Sequence, residues 1–229
     1  MVKAALTLFL CVLLSFSALT AQDLMGKFNV SPFAGIGVPM GDLASDDPEE
    51  ILDGDAAFRS IGFKFGVAAE FFFTPNLAAG VNFRYVSFGS KEIELIEETF
   101  ESDSKITGMM FGAHAKYVLT TVGPVRPYVL GGGGLYMSEF KDVEGILFDF
   151  TDIDKIDVDV DSKFYFLFGG GVMYFVSPNI SIFGEATFDY AMTDGAKLKY
   201  EDMDLGEVGT NYYFLDLIVG LNFWFGGIQ

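Results

Sequence analysis

From residue 61 to residue 225, apolar side chains return at every second position through one segment after another. That period belongs to an extended strand, whose successive side chains point to opposite faces. In 60–74 one face reads Ile61, Phe63, Phe65, Val67, Ala69, Phe71, Phe73, while the other carries Lys64, Gly66 and Glu70. In "NFRY" (82–85) an arginine stands between two aromatics. A lone charge in an apolar core costs several kcal/mol unless paired. The pleat removes the conflict: Phe83 and Tyr85 share a face with Leu77, Ala79 and Val81, and Arg84 shares the other with Asn82.

The same alternation runs through 107–119, 180–190 and 212–225 and, less regularly, through 27–38, 126–137 and 163–176. Eight strands result. Hydrophobic residues make up 51% of the chain, yet past residue 22 no run approaches the ~20 apolar residues of a membrane helix. High apolarity without an apolar run is what a two-sided strand produces.

Connections alternate in length. The short ones are TPN (74–76), TTVGPV (120–125) and SPN (177–179), built on tight-turn residues. The long ones are four acidic segments at about 40–58, 91–105, 139–163 and 192–209, holding 27 of the 32 carboxylates. With a net charge of −18, nucleic acid is excluded as a partner. Residues 1–21, with Lys3 before an apolar run and small residues up to Ala21, read as a cleaved secretory signal peptide. The only cysteine, Cys11, lies in that segment, so residues 22–229 hold no thiol and no disulfide.

An even strand count with short turns at one end and long loops at the other predicts an all-β fold, an eight-stranded antiparallel up-and-down transmembrane β-barrel. Residues 22–229 then form one barrel domain with four acidic extracellular loops, in the bacterial outer membrane. Seven tyrosines, Tyr85, Tyr117, Tyr128, Tyr136, Tyr174, Tyr190 and Tyr213, are read on the lipid face near strand ends, as two aromatic girdles. The inward face reads Lys64, Glu70, Asn82, Arg84, His114, Lys116, Glu185, Asp189, Asp216 and Asn222. So narrow a barrel is filled by side chains, and its charges must pair. Glu70 is expected diagonally across from Arg84, and Glu185 opposite Gly169 or Gly171.

The signal peptide, the alternating strands, the charged interior and the aromatic last strand resemble the small OmpA- and OmpX-type barrels, in particular the PorT-like outer-membrane β-barrel group. Gly220, Phe223 and Phe225 are similar to the terminal signal that the barrel-assembly machinery recognises. Ile218 departs from that pattern, and GGIQ follows the last aromatic. The chain ends at Gln229, so the peptidoglycan-binding domain of full OmpA-type proteins is not expected. The resemblance implies outer-membrane lipid, lipopolysaccharide and the assembly machinery as partners, with no cofactor.

Three features invite chemistry. "GGGG" (131–134) has no P-loop lysine after it and sits in mid-strand, where glycine serves packing and bending. His114 is the only histidine, which excludes a multi-histidine zinc site, and it lacks the lipid-facing serine partner that outer-membrane lipid A deacylases use. Asp157, Asp159 and Asp161 share one side of an extended run and could weakly hold Ca²⁺, although Ca²⁺ wants six to eight oxygens. Looser bridging by divalent cations between the loops and lipopolysaccharide phosphates is the other reading. The expected function is therefore non-catalytic: envelope structure, with recognition or adhesion through the acidic loops. The alternatives are a narrow cation-favouring pore, a secretion-system accessory barrel and, further off, a lipid-modifying enzyme.

Overall fold

In a computed structural model of the chain, the described residues are 23–44, 60–89, 93–95, 98–100, 105–143, 156–200, 203–207 and 211–226. The signal segment 1–21 lies outside them. Eight long strands form the wall: β1 (Lys27–Met40), β2 (Gly62–Phe72), β3 (Leu77–Phe88), β4 (Lys105–Val118), β5 (Val125–Val143), β6 (Ile156–Ser177), β7 (Ile180–Ala191) and β8 (Tyr212–Gly226). Each pairs antiparallel with its neighbours in sequence. β8 returns to β1, from Lys27↔Gly226 to Met40↔Tyr213, and closes the barrel. Closure leaves no unpaired wall edge, the condition for a sheet to cross lipid.

The period-2 pattern sorts the faces. Along β3, Val81 is 61% exposed while Asn82 and Arg84 are 5% and 2% exposed. Phe63, Phe71, Phe111, Phe166, Phe168 and Phe225 all stand on the outer surface, and the polar partners on the same strands are buried. A soluble protein would invert that arrangement; a barrel in lipid requires it.

Two ends differ. At the short-turn end, rings of Phe72, Trp224 and Phe175 meet with centroids 5.5 and 5.3 Å apart and form a floor. Leu24, fully buried, joins that apolar cluster ahead of β1. Its turn is held by the Gly26 amide on the Phe72 carbonyl at 2.8 Å and by Gly26 in a left-handed conformation (φ 73°). At the loop end, Phe88, Phe214, Tyr136 and Tyr212 form a ceiling, with successive centroids 5.5, 6.5 and 6.3 Å apart.

The acidic connections are less loop-like than their composition suggests. β5 runs on to Val143 and β6 begins at Ile156, so most of 139–163 is strand and only 144–155 lies outside the described residues. The segment 192–209 contains a hairpin, Lys197–Tyr200 with Met203–Glu207, which joins β6 through Leu198↔Val160 and Lys199↔Asp159. A smaller hairpin, Ile93–Leu95 with Glu98–Phe100, occupies part of 91–105. Of 40–58, Met40 ends β1 and Gly41–Leu43 form a 3-10 turn. Residues 156–164 of β6 precede its last pairing with β7, Tyr165↔Ala191, and carry the sheet about 30 Å further along the strand.

Candidate functional site

The ten residues assigned to the inward face come together in the lumen, each at most 8% exposed. They form two linked clusters. In the first, Glu70 accepts from Asn29 Nδ2 at 3.0 Å, from His114 Nε2 at 2.7 Å and from Lys116 Nζ at 2.5 Å. His114 Nδ1 lies 3.1 Å from Asn82 Nδ2, and Tyr165 donates its hydroxyl to Asn82 Oδ1 at 3.1 Å. Lys116 also sits over the Tyr128 ring at 4.5 Å.

In the second cluster, Lys64 bridges Asp189 Oδ2, at 2.8 Å, and Asp216 Oδ2. Arg84 reaches Asp189 at 3.3 Å, Asp216 at 3.5 Å and Glu185 at 3.7 Å. Tyr128 donates to Glu185 Oε2 at 2.9 Å. Near the floor, Asn222 accepts from Ser31 at 2.7 Å and donates to Ser181 at 2.8 Å, and Trp224 Nε1 donates to the same Ser181 oxygen.

The expected Glu70–Arg84 pair is not made. The register of β2 and β3 keeps them apart: Glu70 stands opposite Gly80 and Arg84 opposite Gly66, four residues or about 13 Å further along the strand. Glu70 is taken by Lys116 and His114 from β4, while Arg84 crosses the lumen to carboxylates on β7 and β8. Register decides the first pairing, since Glu70, Gly80 and His114 stand at one level across β2, β3 and β4, while the narrow lumen lets Arg84 reach the far wall. Glu185 does pair with Gly171 in register, but the space at that glycine holds the Tyr128 hydroxyl, 2.6 Å from where a Cβ would sit.

Two of the seven tyrosines are also placed differently. Tyr128 and Tyr136 point into the lumen at 2% and 1% exposure, one in the charge network and one in the ceiling. They therefore belong to no lipid-facing girdle. Tyr117 stands outside at 50% exposure, and Tyr85, Tyr174, Tyr190 and Tyr213 are half-buried on the outward parity of their strands. Tyr190 and Tyr213 stack with centroids 5.2 Å apart.

Of the terminal triplet, Phe223 and Phe225 face outward, and Gly220 leaves room for the Phe183 ring, 2.6 Å from a Cβ built there. In the glycine run, a Cβ on Gly132 or Gly134 would meet the β4 backbone at 2.2 or 2.0 Å. Asp161 is half-buried, whereas the side chains of Asp157 and Asp159 lie outside what the structure describes. Among the described residues no group of three or more His, Cys, Asp or Glu side chains is arranged to hold a metal ion.

Sequence reasoning passed over Asn29, Ser31, Ser181, Thr187 and Arg126 as interior groups, though the parity of each follows from its apolar neighbours. Among the described residues, a cavity of about 20 Å³ is bordered by Glu70, Arg84, His114, Lys116 and Glu185. That is room for one water molecule. Aromatic layers lie at both ends of this network, whose charges are held in place by one another.

The model of the outer membrane protein beta-barrel domain family matches residues 8–225. The solved structure of Neisserial surface protein A is similar over 86% of this chain and 98% of its own, at 19% identity and a TM-score of 0.52. A major outer membrane protein of Thermus thermophilus is similar over 87% of this chain and 99% of its own, at 15% identity and a TM-score of 0.54. Identities this low speak for the shared fold alone. Comparison with curated proteins gives no match.

Proposed function

We propose that this chain, which belongs to the outer membrane protein beta-barrel domain family, is a non-catalytic, non-conducting barrel that displays an acidic sheet and loops for recognition at the cell surface. One observation carries the reading: between floor and ceiling the described lumen residues pair with one another, and the cavity they border, about 20 Å³, is the size of one water. A barrel filled in this way has its variable chemistry outside the wall.

The part beyond the wall favours display. β5 and β6, at 19 and 22 residues, are nearly twice as long as β2 and β7, at 11 and 12. A transmembrane strand needs only about 9–11 residues. The excess carries acidic residues and pairs with the added hairpin, so in its described part the extension is sheet. Its charge favours basic partner surfaces, and divalent cations could bridge it to lipopolysaccharide phosphates. Export through cleavage after Ala21, the lipid-facing role of the outer tyrosines, and recognition of Gly220, Phe223 and Phe225 by the assembly machinery complete the reading.

The test is surface display. Cells carrying the chain should adhere to a polylysine-coated support more than cells without it. A variant with the carboxylates of 142–161 and 201–207 changed to amides should lose the gain while keeping heat-modifiable gel migration. Equal adhesion by both would refute the reading.

A further inference from the structure

We propose that the Asp189–Asp216 pair is a proton-binding site in which the two carboxyl groups hold one proton between them at neutral pH. The claim starts from a local charge balance. The first lumen cluster holds one carboxylate, Glu70, and one permanent cation, Lys116, joined at 2.5 Å. Beside them His114 sets Nε2 2.7 Å from Glu70 Oε1 and Nδ1 3.1 Å from the amide nitrogen of Asn82, a donor.

The second cluster is not balanced. Three carboxyl groups, Glu185, Asp189 and Asp216, face two cations, Lys64 and Arg84. Among the described residues the other buried charged side chain, Arg126, is engaged at the turn end, stacked on Phe175 at 4.6 Å and bonded to the Gly123 carbonyl. An uncompensated charge between two aromatic layers costs several kcal/mol, and in practice such a site neutralises itself by taking up a proton.

Geometry selects the site. Glu185 accepts from the Tyr128 hydroxyl on Oε2 at 2.9 Å and has Arg84 Nη2 within ion-pair range of Oε1 at 3.7 Å. Asp189 and Asp216 instead crowd their Oδ2 atoms onto the same Lys64 ammonium and the same Arg84 Nη1. Both Oδ1 atoms are buried without a hydrogen-bond partner. An ionised oxygen in that position lacks the donors it needs, whereas a proton on one Oδ1 converts an unmet acceptor into a donor. Two carboxylates sharing one site is the arrangement in which a single proton is retained, and it belongs to the pair rather than to either residue.

Among the described residues, the groups facing the pair add no charge beyond the two cations and Glu185 already counted. β2 contributes Lys64, and β3 contributes Arg84. β7 contributes Glu185 and Thr187, whose hydroxyl lies 3.5 Å from Asp216 Oδ2. β6 places Leu167 opposite Asp189, and its Tyr165 hydroxyl is used by Asn82. From the ceiling, Phe214 covers Lys64 at 5.0 Å.

The experiment is infrared spectroscopy of the folded barrel in lipid at neutral pH, with the Asp carboxyl carbon isotopically labelled. The expected result is a protonated-acid carbonyl band that shifts with the label and disappears in both Asp189→Asn and Asp216→Asn, because the carboxylate left alone faces two cations. Asp194→Asn, in an exposed turn, should leave the band unchanged. No label-sensitive acid band in the unaltered protein would overturn the proposal, as would a band that survives in both variants. The unaltered labelled protein decides the matter even if a variant fails to insert.

Discussion

The hydroxyl of Tyr128 on β5 donates to Glu185 on β7 at 2.9 Å, tying together two strands that are not neighbours in the wall. β6 runs between them, and its Gly171 leaves the opening through which the ring reaches. Tyr128→Phe should therefore lower the stability of the folded barrel by about 1.5–3 kcal/mol, the range for a buried hydrogen bond to a charged group. Reversible denaturant unfolding in lipid vesicles measures this. A tyrosine at the lipid interface would tolerate phenylalanine with little change.

Gly171→Ala should damage the same contact from the other side. Its Cβ would lie 2.3 Å from the Gly184 carbonyl oxygen and 2.6 Å from the Tyr128 hydroxyl. Overpacking of this kind costs about 1–3 kcal/mol. Gly184→Ala, with nothing within 4 Å of the new Cβ, should be close to neutral. Folding yields and unfolding midpoints of the two variants check the contrast.

A double-mutant cycle reads the pairing of Arg84. Arg84→Met should cost about 3–5 kcal/mol, since it strands buried carboxylates. Its coupling to Asp189→Asn should exceed its coupling to Glu70→Gln by at least about 1 kcal/mol. Equal couplings would mean that Arg84 serves both clusters rather than the one it contacts.

Parity was legible in the sequence wherever a strand carried a charge to set its phase. Lys64 and Glu70 in β2, Arg84 in β3 and Asp189 in β7 each declare an inward face, and their apolar neighbours the outward one. β5 gave a weaker signal: "PYVLGGGGLYM" is apolar on both parities, and four of its residues have no side chain. Arg126, two positions before Tyr128, was the one marker that places both misassigned tyrosines inside.

Partners were harder to read than faces. Alternation says which way a side chain points but not which wall it meets, and in a narrow barrel the opposite strands compete with the adjacent ones. Composition misled in the third acidic segment. The Asp–Val alternation at 157–161 reads as an extended run, yet its acidity placed it within a long connection when it is the start of β6.

Single-channel recording in planar bilayers tests the central claim, that the barrel is closed by its own side chains. Purified, folded protein should insert without producing a stable current at any salt concentration. A persistent current that scales with salt would contradict the sealed lumen and return the polar interior to service as a pore.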